Sequence, residues 1–325
     1  MRYRSIGRSD VKVSEISFGC WTLGGPNWSR GEPNGWGEVD EDEVVAGVKV
    51  GLDAGVNHFD NADVYGNGRA ERRLARALQK LGVNSTGVVI ATKVGWFAGT
   101  AQHAYEPAHI RHQCEQSLIN LKRDCIDLYY FHHADFGPDD RYLDDAVATM
   151  NKLVEEGKVR HKGQSAYSAD EFERVVPKVQ PLVLQCHANA LHDDFITPGS
   201  RVQALMEKHD LSAVCFGPLG QGLLLDKFDP KRLPQFEPGD HRARNDAFSA
   251  ESLAELKPKL QEVKKRFGAT TEDLAAAALQ FVLSHPRVAC VIPGFRNERQ
   301  AKCNVAEAER KLTAEDIEFI RKTLA

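Results

Sequence analysis

Eight short apolar segments alternate along the chain with amphipathic segments of helical spacing. The apolar segments are Ile16–Trp21, Val56–Asp60, Val88–Val94, Ile126–His132, Val159–Ser165, Leu182–His187, Leu211–Phe216 and Val288–Pro293. The clearest helical patterns between them are Glu41–Ala54, Arg69–Leu81, Pro107–Leu121 and Leu143–Glu156. This alternation indicates parallel strands joined by right-handed helical crossovers. Eight such units in 325 residues predict an α/β fold of the closed (β/α)8 class, a TIM barrel.

The competing architecture is an open, doubly wound sheet. The residues that follow the first apolar segment, Phe18-Gly19-Cys20-Trp21, lack the glycine spacing of a dinucleotide-binding turn, which argues against that fold. We expect one domain over residues 1–325, with a long polar excursion at about residues 222–250 that covers a ligand and a C-terminal helix at about residues 314–323. Thr270–Asp273 resembles a capping box that opens a helix over Leu274–Leu283.

Composition excludes several classes of function. The formal charge of −4 gives no attraction to nucleic acid, and no apolar run of membrane-spanning length occurs. The first ten residues have no apolar core of a signal peptide, so we expect a cytoplasmic protein. Seven cysteines without a CxxC pair predict free thiols. His132 and His133 are adjacent, so they point to opposite sides of a strand, and we expect no metal site. Composition leaves the oligomeric state open.

Ionisable residues end three consecutive apolar segments. These residues are Asp60, Lys93 and His132, and Tyr65 follows Asp60 by five positions. The carboxyl ends of barrel strands carry the chemistry in this fold, and neighbouring strands lie about 4.8 Å apart. Each residue has a structural alternative: Asp60 as a helix cap, Lys93 as a surface-reaching side chain, His132 as a satisfied core histidine. Their coincidence at one end of a barrel predicts an active site.

The chemistry expected of this set is proton transfer beside hydride transfer. An ammonium group close to a phenol favours the phenolate, so we expect Lys93 to lower the pKa of Tyr65. Asp60 would hold Lys93 charged, and His132 would orient a substrate carbonyl. Tyr65 would then donate a proton to the carbonyl oxygen. No side chain transfers hydride, so the reaction requires a cofactor.

Three of these segments resemble signatures of the aldo-keto reductase family. The matching segments are Gly55–Gly66, which contains Asp60 and Tyr65, Ala91–Gly95 around Lys93, and Asp127–His132. The resemblance runs from Tyr3 to about Ala308. It implies a barrel that binds NADP(H) across the strand ends and acts as an oxidoreductase on carbonyl compounds, with Asp60, Tyr65, Lys93 and His132 as catalytic residues.

The resemblance also implies a set of cofactor-binding residues. Ser165 and Gln185 would bind the nicotinamide carboxamide, Phe216 would stack on the ring, and Arg296 would bind the 2′-phosphate. The full set is Gly19, Cys20, Trp21, Asp60, Ser165, Gln185, Phe216, Gly217, Pro218, Leu219, Gln221, Gly222, Arg296, Gln300 and Asn304.

Some of these residues have a simpler interpretation. Gly217–Gly222 is also typical of an ordinary turn, and Arg296 of a solvated loop arginine. The family usually has Asn where this chain has Ala166, and commonly an acidic residue where it has Cys303. The strictness of NADP over NAD therefore stays open.

The tryptophans point to the substrate end. Trp21, Trp28, Trp36 and Trp96 all fall at predicted strand ends or in the loops that follow them, where they form either an aromatic wall or simple loop packing. The loop Gly24–Gly37 has five glycines and two prolines and would act as a mobile rim. We favour an aldose or other polyhydroxylated carbonyl compound as substrate. Steroids, quinones, aromatic aldehydes and the direction of reaction stay open.

Two other functions compete with this prediction. One is a non-catalytic, NADP(H)-binding regulatory subunit of the same fold, against which the intact set of four polar residues argues. The other is an aldolase of an unrelated barrel type that uses Lys93 as a Schiff base.

Overall fold

The computed structural model describes residues 1–29 and 31–324, so Arg30 and Ala325 lie outside the described residues. The strands are β1 Tyr3–Ser5, β2 Lys12–Ser14, β3 Phe18–Gly19, β4 Trp28–Ser29, β5 Glu32–Pro33, β6 His58–Asp60, β7 Val89–Val94, β8 Ile126–Phe131, β9 Val159–Ser165, β10 Val183–His187, β11 Ser212–Phe216 and β12 Val288–Ile292. The helices are α1 Glu41–Asp53, α2 Arg69–Lys80, α3 Pro107–Leu121, α4 Leu143–Glu155, α5 Ala169–Val179, α6 Arg201–His209, α7 Ala250–Phe267, α8 Thr271–Leu283, α9 Glu298–Val305 and α10 Ala314–Leu324.

Strands β3 and β6 to β12 form an eight-stranded parallel sheet in which each strand pairs with its neighbours in chain order. Parallel bridges from Ile16 to Val291 and from Gly19 to Gly294 join its two ends. The Gly19 amide also donates to the Pro293 carbonyl at 3.0 Å. The predicted (β/α)8 barrel is confirmed, and every barrel strand lies within two residues of its predicted bounds at each end.

The helices begin at residues that satisfy their free amides. Asp40 caps α1 by accepting from the amides of Asp42 and Glu43. Thr270 and Asp273 form the predicted capping box, but α8 begins at Thr271, three residues before the predicted start. Buried apolar side chains of the helices pack on the outer faces of the barrel strands in the main core cluster.

An antiparallel hairpin, β1 and β2, closes the end of the barrel opposite the strand carboxyl ends. It lies outside the eight segments that the sequence predicts. The buried Glu15 carboxylate accepts from Arg2 Nε at 2.5 Å and from Arg4 Nε at 2.7 Å. Arg4 also donates to the carbonyls of Leu283 and Val288. The hairpin therefore joins the barrel floor to the end of α8.

The predicted excursion follows β11 and folds back over the loop after β3. The Gly35 amide donates to the Gly239 carbonyl, and the His241 amide donates to the Gly35 carbonyl, both at 3.0 Å. Asp226, whose side chain is 2% exposed, anchors the start of the excursion to α7 through Lys257 and Lys264. These contacts place the excursion above the carboxyl ends of the barrel strands. Of the helices in the described part of the chain, none is long and apolar enough to cross a membrane.

Candidate active site

A cavity of about 1060 Å³ opens at the carboxyl ends of the barrel strands. Most of the residues predicted for the site line it. These are Gly19, Trp21, Trp36, Asp60, Tyr65, Trp96, His132, Ser165, Gln185, Phe216, Gly217, Pro218, Leu219, Gln221, Gly222, Arg296, Gln300 and Asn304. Residues separated by more than 280 positions in sequence thus share one wall, because parallel strands end at the same edge.

Three predicted residues lie away from the cavity surface. Lys93 is fully buried directly behind Asp60. Cys20 does not line the cavity, contrary to expectation, because its side chain packs in the apolar cluster that contains Leu23. Trp28 is likewise off the cavity: it is 51% exposed on the short hairpin of β4 and β5, where it lies close to Gly239.

The polar centre of the cavity is built around the Lys93 ammonium group. Its Nζ donates to Asp60 Oδ2 at 2.5 Å, to the Asn61 carbonyl at 2.6 Å and to the Tyr65 hydroxyl at 3.1 Å. Gln185 Nε2 donates to the other Asp60 oxygen at 2.8 Å. All three ammonium hydrogens are therefore directed, and one points to the phenol oxygen of Tyr65.

The protonation states follow from burial and charge. Burial and then the Asp60 carboxylate raise the pKa of Tyr65 well above its ordinary value. The expectation that Lys93 gives this pKa a net lowering is therefore wrong here, although the ammonium group opposes the rise. Burial lowers the pKa of Lys93, and Asp60 opposes that change. Burial and then Lys93 hold the pKa of His132 well below its usual range. A neutral phenol and a neutral imidazole thus face the cavity.

His132 is held beside Tyr65 by packing and by backbone contacts. The two ring centroids are 5.8 Å apart with the planes nearly perpendicular. The His132 amide donates to the Val94 carbonyl at 2.9 Å, and the Tyr105 hydroxyl donates to the His133 carbonyl at 2.7 Å. His133 turns away and contacts the Gly95 carbonyl through Nε2. Among the residues that the structure describes, no group of three or more histidines, cysteines or acids is arranged to hold a metal ion.

Aromatic side chains form the roof and the rim of the cavity. Trp21 stacks on His241 at 4.3 Å, and Trp36 meets the same histidine edge-on at 4.7 Å. Trp96 and Tyr167 are about half exposed at the rim, with ring centroids 6.3 Å apart. Sequence reasoning missed Tyr167, which lines the cavity, and His241, which packs against Trp21 and Trp36 without lining it. Tyr167 was findable because it comes two residues after a strand end, whereas His241 depends on the path of the excursion.

The other arm of the cavity is cationic. Arg296 is joined on the cavity wall by Lys227, Arg242 and Arg299, which sequence reasoning also missed. Arg242 is held between Trp36 and Phe236 at 4.4 and 4.5 Å and pairs with Asp240. Burial and then the charge of Arg242 lower the pKa of Lys227 to about 8.

A glycine turn and a helix start lie on the same arm. Gly217, Gly220 and Gly222 have positive φ, so the backbone forms a tight turn along the cavity wall. Asn297 caps α9 directly after Arg296. Clustered cations, a glycine turn and a helix N-terminus together fit a phosphorylated ligand. The chain can therefore hold the phosphates of a dinucleotide on this arm, with the Lys93 centre at the other.

The fold and the cavity define a class of (β/α)8-barrel protein that holds a buried lysine–aspartate pair and a tyrosine beside a cationic arm. The family model described as Aldo/keto reductase family matches residues 15–325, and the chain belongs to that family. The predicted membership in this family of oxidoreductases is confirmed.

The similarity of the chain to known proteins extends over nearly its whole length. An uncharacterised oxidoreductase of Bacillus subtilis (strain 168), YqkF, is 27% identical over 99% of this chain and 96% of its own length. A probable voltage-gated potassium channel subunit beta of Arabidopsis thaliana is 27% identical over 94% of this chain and 90% of its own. The structure of the glycerol dehydrogenase AKR11B4 from Gluconobacter oxydans has a TM-score of 0.80 and 25% identity, and the match covers 99% of this chain and 95% of that one.

Proposed function

We propose that the protein is an NADP(H)-dependent oxidoreductase that interconverts a carbonyl compound and an alcohol, with Tyr65 as the general acid and base. The observation that carries this proposal is the 3.1 Å contact between Lys93 Nζ and the Tyr65 hydroxyl, with Asp60 behind the lysine. When bound, the nicotinamide cofactor supplies or accepts the hydride.

In the proposed reaction, each of the four polar residues has a separate role. In carbonyl reduction, the neutral phenol of Tyr65 gives its proton to the substrate oxygen, and the Lys93 ammonium stabilises the phenolate that remains. Neutral His132 orients the carbonyl oxygen through a ring N–H. Asp60, paired at 2.5 Å, keeps Lys93 charged and in place. In alcohol oxidation the same proton returns to Tyr65.

The cofactor residues proposed are those that line the cationic arm and the strand ends. Ser165 and Gln185 would bind the carboxamide, Phe216 would stack on the ring, and Gly217–Gly222 would follow the pyrophosphate. Arg296, with Lys227 and Arg242, supports a ligand that carries a 2′-phosphate, because guanidinium and ammonium groups pair well with phosphate. This favours NADP(H).

For the substrate we propose an aldehyde, ketone or aldose, with polyhydroxylated compounds first. Aromatic side chains around the reacting centre, Trp21, Trp96 and Tyr167, can stack on the apolar face of a sugar-like chain or ring. A structural neighbour is named as a glycerol dehydrogenase, which supports the same class.

The test is turnover of NADPH with a panel of aldoses, small aldehydes, quinones and ketosteroids, and of NADP⁺ with polyols and sugars. Tyr65→Phe is measured in parallel, since it keeps the ring and removes the proton. We expect a loss of at least about a hundredfold in kcat, the usual scale for a lost general acid. Cofactor binding without turnover in either direction would support the regulatory-subunit alternative. One relative is named as a probable potassium channel subunit, which is consistent with that alternative. A covalent adduct trapped by borohydride would support the aldolase alternative.

A further inference from the structure

The Glu237 carboxylate lies close to Arg296 of the cationic arm. A side chain at Gly37 would place its Cβ 2.8 Å from Nη1 of Arg296 and 2.9 Å from Oε2 of Glu237. The guanidinium group and the carboxylate therefore flank the same backbone atom. Gly37 leaves the space that both groups occupy, because a Cβ at this position would displace them.

Glu237 is fixed in this position by the excursion. Its Oε2 accepts from the Glu38 amide at 2.7 Å, and its own carbonyl accepts from the Asp240 amide at 3.1 Å. The clasp between Gly35 and the backbone of Gly239 and His241 lies directly beside it. Glu237 is thus held next to Arg296 by backbone contacts that do not depend on a ligand.

The Glu237 carboxylate acts on Arg296 from outside the cavity wall. Arg296 lines the cavity, whereas Glu237 does not. The charges of Asp240 and Glu237 act on the guanidinium group of Arg296, as does that of the cation Arg242. Asp240 acts more strongly on Arg296 than Glu237 does, but it is already paired with Arg242 at 2.6 Å. Glu237 adds a second negative charge beside Arg296.

We propose that Glu237 sets the preference between NADPH and NADH. Its carboxylate partly neutralises Arg296 and so weakens the attraction of that guanidinium group for a 2′-phosphate. The binding of NADPH is weakened, while that of NADH is left nearly unchanged. This inference rests on the proposed function, because it assigns the residue to the same cofactor site. It makes the chain a less strict NADP(H) binder than the number of cations on the arm suggests.

The experiment measures dissociation constants and not turnover. NADPH, NADH, 2′,5′-ADP and 5′-AMP are titrated against wild type and Glu237→Gln, with the tryptophan fluorescence of the protein as the signal. The glutamine keeps an oxygen that can accept from the Glu38 amide and removes only the charge. Glu315→Gln, at an exposed position on α10, controls for the change in net charge.

We expect Glu237→Gln to tighten the binding of NADPH and of 2′,5′-ADP about fivefold, an estimate for removing one partly screened charge. The dissociation constants of NADH and 5′-AMP should change by less than about twofold, the same as in Glu315→Gln. In an Arg296→Leu background, Glu237→Gln should have no effect on either pair, since Glu237 acts through Arg296.

Two outcomes overturn the inference. One is unchanged or weaker NADPH binding in Glu237→Gln while wild type binds the cofactor. The other is a fivefold gain that persists without Arg296, which would show a general effect of charge. If wild type binds neither NADPH nor NADH, the proposed function itself fails, and the two failures are thereby distinguished.

Discussion

At the scale of single residues, Lys93 is distinguished by three hydrogen bonds from one buried ammonium group. It is fully buried, and the Asp60 carboxylate with which it pairs is 2% exposed. Replacing Lys93 by Met leaves that carboxylate buried with Gln185 as its remaining side-chain donor. We expect Lys93→Met to lower the free energy of unfolding by about 3 kcal/mol, as for other buried ion pairs that lose one partner.

The matched control for Lys93→Met is Lys49→Met. Lys49 pairs with Asp53 at the same 2.5 Å distance, but both side chains are more than half exposed. Its loss should change stability by less than about 1 kcal/mol. Urea denaturation at neutral pH measures both variants. Equal effects would contradict the assignment of Lys93 and Asp60 as a buried pair, whereas partial recovery of stability in Lys93→Met combined with Asp60→Asn would support it.

His58 makes the stability of the protein depend on pH. Burial lowers the pKa of His58 from the ordinary value of 6.5 to about 4, so the folded protein holds it neutral where the unfolded chain is protonated. The contribution of neutral His58 to the free energy of unfolding is fully present above about pH 6.5 and is lost as the pH falls toward 4. Between about pH 7 and about pH 5 we expect His58 alone to remove about 2 kcal/mol from the free energy of unfolding.

Urea denaturation of wild type and His58→Asn at the two pH values measures this share. The variant should lose about 2 kcal/mol less than wild type over the interval, whatever its stability at neutral pH. Burial also lowers the pKa of His132, His241 and His285, so part of the dependence should persist in the variant. An identical pH dependence in both proteins would show that His58 is accessible to protons in the folded state.

Sequence reasoning reached part of the site at this scale. Asp60, Lys93 and His132 were recognisable because each ends a strand, and the ends of parallel strands share one edge of the sheet. The cations Lys227 and Arg242 were not recognisable, because they come from the excursion. Its path depends on tertiary contacts such as the clasp at Gly35, which have no periodic signal in the sequence.

At the scale of elements, the barrel strands and their helices follow from periodicity, while the hairpin β1–β2 does not. Its strands have three residues each, too short for an alternation to be counted. It is held by the ion pairs of Glu15 with Arg2 and Arg4, which leave no periodic signal in the sequence. Long, strongly periodic elements were therefore predictable, and short elements fixed by ion pairs were not.

The excursion carries Lys227 and Arg242 of the cationic arm, so its anchorage bears on ligand binding. Asp226 forms ion pairs with Lys257, at 2.8 Å, and with Lys264, and its Oδ2 accepts a hydrogen bond from Gln261 at 3.0 Å. Burial opposes the ionisation of Asp226, but these contacts together outweigh it and hold the pKa of this carboxyl below its usual value. Asp226→Asn removes the charge and keeps a residue type that tolerates the positive φ of 49°.

We expect Asp226→Asn to loosen the excursion without unfolding the barrel. Limited trypsin digestion should cut within residues 227–244 about tenfold faster than in wild type, since local opening governs cleavage there. Asp53→Asn, which disrupts an exposed pair on α1, is the control and should digest at the wild-type rate. Cleavage of Asp226→Asn at the wild-type rate would mean that the clasp at Gly35 alone holds the excursion.

At the scale of the whole molecule, cofactor binding and catalysis can be separated, because they depend on opposite arms of one cavity. A ligand that binds only the folded state stabilises it by about 2.7 kcal/mol when its concentration is a hundred times its dissociation constant. We expect NADPH to stabilise wild type and Tyr65→Phe equally against urea, since the phenol oxygen accepts from Lys93 and is not one of the groups of the cationic arm. Arg296→Leu should lose most of the stabilisation by NADPH and keep that by NADH. Turnover should follow the opposite order, lost in Tyr65→Phe and retained at saturating cofactor in Arg296→Leu. If Tyr65→Phe lost the stabilisation together with turnover, the tyrosine would be needed to bind the cofactor, and its assignment as the proton donor would have no independent support.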